Sequence, residues 1–243
     1  SSLSDAADEV KATNTSDAAV DLFSAPVDTT EEQMTTVENN GHAMAPYMMS
    51  VALWVGCIAF SLMYPLTEYY GGKLKSGMAW WFSKASVLYL IAILQAMCML
   101  LCLHVFDGFN PANWGLTIAV AVAASLAFMS IMYFFTNFIG KAGSFLMLVF
   151  MVVQLAGSVG TYPLELSGGF VKYLHEWVPF TYTVKAFRST IAGGESVESC
   201  IVFMLILFVV FSILSIMVFR GRARKIKAGK PTLHDWLDAH HLA

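Results

Sequence analysis

Five stretches of the chain, residues 45–66, 83–105, 114–138, 142–162 and 199–219, are almost continuously apolar and carry no Asp, Glu, Lys or Arg in their central parts. Each is close to the roughly 20 residues that a helix needs to cross the hydrocarbon core of a bilayer. Backbone groups in lipid must be paired within the segment, so five such runs predict five transmembrane helices. The rest of the composition agrees. Of 243 residues, 57% are hydrophobic and 13% charged, too apolar for a soluble domain of this size. The fold class expected is an all-α membrane protein. Pro46 suits the first turn of its helix, where an N–H is not needed. Trp54, Trp80, Trp81, Trp114 and Trp177 include candidates for the interfacial aromatic belt.

The net charge of -3 conceals an asymmetry: nine of the 17 acids precede Asn39, and six of the 14 bases lie at or after Arg220. Five spans place the two ends on opposite sides. One side then receives Lys73, Lys75, Lys84, Lys141 and the six bases of the tail, and the other receives Lys11, Lys172, Lys185 and Arg188. Ten against four puts the tail in the cytoplasm and the N-terminal segment outside. Residues 1–43 read as an acidic extracellular stalk or linker, 44–219 as the membrane domain, and 220–243 as a basic cytoplasmic tail. In the tail, Thr232 and Asp235 have capping-box spacing beside Leu233, Trp236 and Leu237, which predicts a short helix on the membrane surface.

Between the fourth and fifth runs lies a segment that is neither a plain polar loop nor a further crossing. Phe170, Tyr173, Leu174 and Trp177 recur at helical spacing up to Pro179. A second pattern through Val184, Phe187 and Ile191, with Lys185 and Arg188 beside it, stops at Gly193-Gly194. Two helices of about 167–178 and 180–191 are expected, each too short to span. They form either a re-entrant pair or two interfacial helices, within an external hairpin at about 163–194. Irregular backbone at membrane depth needs protein or a water-filled cavity around it, so a re-entrant pair would border a pathway or a subunit contact. The connection 67–84, with Tyr69, Tyr70, Lys73 and Lys75, is the long cytoplasmic loop before the tail. It predicts an interfacial helix or, alternatively, a docking surface for a cytoplasmic partner.

No catalytic chemistry is visible. The sequence has no GxxxxGK[ST] phosphate loop, no HExxH and no Ser/His/Asp constellation, and an enzyme is not expected. His175 and Glu176 are adjacent and point to different sides of a helix. Without central ionisable residues a proton-driven antiporter has no relay. Cys57, Cys98, Cys102 and Cys200 fall in or beside the apolar runs and predict packing rather than disulfides or metal binding, even with His104 near Cys102. No metal, cofactor or nucleic-acid partner is expected. Gln95, Asn137 and Gln154 are polar residues at membrane depth, suited to interhelical hydrogen bonds or to pore lining.

Residues 38–56, ENNGHAMAPYMMSVALWVG, resemble the entry into the C-terminal membrane domain of YhgE/Pip proteins, and FSAPVD at 23–28 resembles a stretch just upstream. QLAGSVGTYPLEL and HEWVPFTYTVKAFRSTIAGG resemble the external hairpin of type-2 ABC exporter permeases. The shared features are the turns Gly160 to Pro163 and Pro179 to Tyr182, followed by Arg188, with Glu165, His175 and Lys185 in the same hairpin. The resemblance covers about residues 23–220. It implies five transmembrane helices of a six-span exporter-like domain with an external re-entrant helical hairpin. The remaining span and a large ectodomain would precede Ser1. It also implies the cell membrane of a Gram-positive bacterium, a homodimer, and energy from a separate cytoplasmic ATPase. Relatives in that family include a phage infection protein and the EsaA component of type VII secretion.

Two functions compete. One is a membrane subunit of an export or secretion system moving a hydrophobic or polypeptide substrate. The other is a cell-surface scaffold or phage receptor whose spans only anchor an extracellular domain. A homodimer is expected from the small residues Ser50, Gly56, Ser61, Gly143, Ser144, Ala156, Gly157, Ser158 and Gly160, which would let helices approach closely; packing within one subunit is the alternative use.

Overall fold

The computed structural model describes residues 40–66, 76–157, 175–194 and 196–229, all within the compact unit Thr35–Ala243. Its six helices are α1 (Asn40–Met63), α2 (Gly77–Asp107), α3 (Trp114–Ile139), α4 (Lys141–Gly157), α5 (Pro179–Ala192) and α6 (Glu198–Lys227). The described residues contain no strand, and the protein is an all-α membrane protein. Four helices are long and apolar enough to cross a membrane: Ala43–Met63, Gly77–Asp107, Trp114–Ile139 and Glu198–Lys227. α4 is apolar but has 17 described residues, or about 25 Å at 1.5 Å per residue.

Local chemistry sets the boundaries. Ser76 caps α2, its Oγ accepting from the Ala79 N–H at 3.1 Å. Asn113 caps α3 in the same way through the Leu116 N–H at 3.0 Å. α3 and α4 are separated by Gly140 alone, at φ 71°, a conformation natural only to glycine. Three residues on, a Cβ at Gly143 would overlap the Phe135 carbonyl, so the corner closes only around a bare backbone.

α3 is the centre. Most of its surface is buried, whereas α2 and α6 expose most of theirs. Ala121, Ala124, Ser125 and Ala127 keep its faces narrow, and α1, α2, α4, α5 and α6 all pack on it. Polar side chains stitch the bundle. Gln95 donates through Nε2 to Ser125 Oγ at 2.7 Å and lies 3.0 Å from Cys57 Sγ. Ser125 donates to the Ala92 carbonyl at 2.7 Å. Ser144 lies 2.8 Å from Thr136 Oγ1 and 3.5 Å from Ser61 Oγ.

That stitching gives several of the small residues the second of their two expected uses, packing within one subunit. Ser50 is fully buried and donates back to the Pro46 carbonyl at 2.8 Å. Ser61 and Ser144 meet each other, Gly143 serves the α3–α4 corner, and Gly56 makes room for Gln95. Ser50, Ser61, Gly56, Gly143 and Ser144 therefore serve packing among α1, α2, α3 and α4 within one chain, whereas Ala156 is exposed and Ser158 and Gly160 lie outside the described residues. Three boundaries also differ from the sequence expectation. Pro46 lies inside α1 rather than in its first turn. The one hydrogen bond it lacks falls near the helix end, where water can take the freed carbonyl. α2 begins at Gly77, so Trp80 and Trp81 are helical. α6 continues to Lys227, because straight-chain bases are good helix formers and suit the negative end of the helix dipole.

Candidate functional site: the short helix α5

α5 is 14 residues long, about 21 Å, and its sequence buries one full side. Phe180, Thr183, Val184, Ala186, Phe187, Thr190 and Ile191 are buried, while Lys185 and Arg188 are exposed. Pro179 sits at the first position, where its missing N–H costs nothing. Thr183 and Thr190 turn their hydroxyls back onto helix carbonyls, so no bare polar group faces the core. At the far end, the N–H groups of Ala112 and Asn113 donate to the carbonyls of Ile191 and Thr190 at 3.0 and 3.1 Å. The loop between α2 and α3 thereby satisfies carbonyls that a helix end leaves unpaired.

α5 reaches inward from that loop. Phe180 meets Trp54 of α1 with ring centroids 5.6 Å apart and Phe128 of α3 at 5.7 Å. Trp54 in turn donates to the Met147 carbonyl of α4 at 3.4 Å. Trp54 and Phe128 both lie near the middle of their helices, so the N-terminal end of α5 stands well inside the bundle. His175 Nδ1 lies 2.9 Å from the Gly157 carbonyl, linking the approach to α5 with the end of α4. Thr181 donates to the His175 carbonyl at 2.7 Å, and Tyr182 stacks on Phe203 of α6 at 3.7 Å.

Between α5 and the start of α6 is a cleft of ≈ 450 Å³. Its lining includes His175, Lys185, Arg188, Ser189 and Ser196 on the polar side and Val184, Ala192, Val197 and Cys200 on the apolar side.

The opposite end of the bundle is built around two buried cations. Arg222 of α6 donates to Asn137 Oδ1 at 3.0 Å and to the Asn137 carbonyl at 2.6 Å, in the last turn of α3. Lys84 donates to the Pro65 carbonyl at 2.6 Å and lies 4.9 Å from the Tyr64 ring. Trp80, Phe219 and Tyr133 pack edge-on and tilted between them, and Tyr133 donates to the Trp81 carbonyl at 3.1 Å.

Of the site residues expected from sequence, His175, Pro179, Tyr182, Lys185 and Arg188 lie on or beside α5. Gly160, Pro163, Glu165, Tyr69, Tyr70, Lys73 and Lys75 lie outside the described residues, as does most of the first hairpin helix. Gln95 and Asn137 bond between helices. Gln154 does not: it is fully buried, and neither amide atom has a hydrogen-bond partner among the described residues. Sequence inspection missed the Arg222–Asn137 clamp. Its only signal was an arginine three residues past the last apolar run, indistinguishable there from the other tail bases.

Residues 2–217 match the family described as ABC-2 family transporter protein. The chain belongs to that family. This ABC-2 membrane domain is 33% identical over 174 residues to "Uncharacterized protein YhgE" of Bacillus subtilis (strain 168), covering 72% of the chain. It spans only 22% of that relative's length. No solved structure matches it. The ABC-2 assignment makes the chain a multi-pass, transport-type membrane domain of YhgE-like kind.

Proposed function

We propose that the chain is the membrane subunit of an export or secretion system, energised by a separate cytoplasmic ATPase. The observation that carries this is α5. A short helix packed into the bundle, with its carbonyls held by a neighbouring loop and Phe180 set against Trp54 and Phe128, is more than an anchor requires. The ABC-2 family match supports the same function. The substrate class proposed is hydrophobic or polypeptide.

The distribution of bases orients the domain with the α2–α3 loop and α5 outside and the Arg222 end in the cytoplasm. The acidic segment 1–43 is then an external stalk and residues 220–243 an internal tail. The connection ahead of α2, including Tyr69, Tyr70, Lys73 and Lys75, faces the ATPase. Two copies assemble, and the exposed face of α4 (Phe145, Leu148, Val149 and Val152) is the proposed seam.

Affinity purification of the full-length protein in mild detergent tests the function. An ATP-binding subunit should co-purify, and substitution of Tyr69, Tyr70 and Lys73 should release it while the membrane protein stays folded. Recovery of phage or surface components with no ATPase would instead identify a cell-surface scaffold or phage receptor.

A further inference from the structure

We propose that the outward face of α6, at its Arg222 end, binds the headgroups of anionic membrane lipids through Arg220 and Arg224. α6 is two-sided. Ser212, Ser215, Phe219 and Arg222 are buried against the bundle. Opposite them Ile206, Val210, Ile213 and Met217 are exposed, at alternating spacings of four and three residues that keep them on one face. The same alternation continues without a break to Arg220 and Arg224, both exposed. One stripe therefore passes from hydrocarbon to guanidinium groups within the three residues after Met217, about 4.5 Å of helix. Arg222 lies between the two arginines in sequence but on the buried side, held by Asn137.

The stripe decides between a lipid and an acidic protein surface. Of the four helices long and apolar enough to cross a membrane, α6 buries the smallest share of its most apolar window, 11%. Its outward face meets hydrocarbon, and a cation one turn further on that face stands among the headgroups of the same lipids. α2 begins at this level, for a Cβ at Gly77 would lie 2.7 Å from Arg220 Cα. Phe82, exposed near the start of α2, and Trp80, edge-on to Phe219, place aromatic rings where an interfacial belt lies. Among the described residues the acids are Asp107, Glu176 and Glu198, at the end of α2, ahead of α5 and at the start of α6, so none of them neutralises the stripe. A guanidinium matches a phosphodiester with two parallel hydrogen bonds. The site requires no transport cycle and stands apart from the question of an ATPase.

The test is native mass spectrometry of the full-length protein in nonionic detergent, titrated with phosphatidylglycerol or phosphatidylcholine. Phosphatidylglycerol should bind the more tightly. The double substitution Arg220→Gln, Arg224→Gln should weaken it about thirtyfold, roughly fivefold for each cation near a membrane surface, and leave phosphatidylcholine binding unchanged. The charge-keeping pair Arg220→Lys, Arg224→Lys should retain the preference, which separates charge from packing. Lys225→Gln, about a quarter turn off the stripe, should cost less than Arg224→Gln. Should the glutamine pair fail to fold, these two single variants decide, and equal effects overturn the proposal. Equal binding of the two lipids by the unaltered protein also overturns it. So does a phosphatidylglycerol preference that survives the glutamine pair; if a co-purifying ATP-binding subunit is then lost, the face is a protein contact instead.

Discussion

Two glutamines show how differently one residue type serves this bundle. Gln95 bonds Ser125 and touches Cys57, so it ties α2 to α3 and α1. Gln154 has an equally apolar sequence setting, yet its buried amide has no hydrogen-bond partner among the described residues. Truncating a partner and leaving a buried group unsatisfied costs about 1–3 kcal/mol, whereas removing an already unsatisfied group relieves a comparable penalty. Gln95→Leu should therefore destabilise the protein, and Gln154→Leu should leave it as stable or more so, measured as denaturant unfolding in detergent. Loss of stability in both would mean that Gln154 has a partner in the folded protein. Arg222 makes the third case. Asn137→Ala removes one hydrogen bond to a charged donor and should cost about 1.5–3 kcal/mol. Arg222→Ala removes both bonds to Asn137 and should cost more, with Arg222→Lys intermediate because an ammonium lacks the planar fork. Sequence identified Gln95, Asn137 and Gln154 as polar residues at depth but not which were satisfied. That depends on what the neighbouring helix presents, a property of packing and not of local pattern.

At the scale of elements, most helices were legible because lipid imposes a length on them. A run of about 20 apolar residues has one common solution, and the positions of α1, α2, α3 and α6 follow from it. The ends were less legible. α2 and α6 run past their apolar stretches because the amphipathic flanks continue the helix once it is nucleated. α5 was legible from its 3.6-residue pattern and its Pro and Gly stops. Its depth was not, since only the tertiary contact of Phe180 with Trp54 reveals it. Phe180→Ala should cost about 3–5 kcal/mol, the range for emptying a buried aromatic site. Gly143→Ala should be as damaging despite adding one methyl group, because the added carbon meets the backbone of Phe135 rather than a movable side chain. A protein that tolerates Gly143→Ala without loss of thermal stability would show the α3–α4 corner to be looser than described.

At the scale of the whole molecule, the two ends differ in kind. One carries Lys185 and Arg188 beside a cleft and α5 held by the α2–α3 loop; the other locks α6 to α3 through Arg222. The exporter proposal requires α5 to enter from the first end and return there. Ser50, Ser61, Gly143 and Ser144, among the small residues that suggested a dimer seam, are occupied within the chain, so a cysteine at Ser50 is a poor reporter of assembly. One at Val152 on the exposed face of α4 should cross-link between copies in native membranes, and its failure to do so in a well-expressed protein would move the seam elsewhere. The central claim, that α5 is inserted without crossing, is tested most directly by single-cysteine labelling in intact cells, after replacement of Cys57, Cys98, Cys102 and Cys200. Cysteines at Asn110, Glu176 and Ser196, all exposed, should react together with an impermeant thiol reagent, and one at Lys227 should react only after the membrane is opened. Reaction of Glu176 and Ser196 from opposite sides would make α5 a crossing helix and contradict the account.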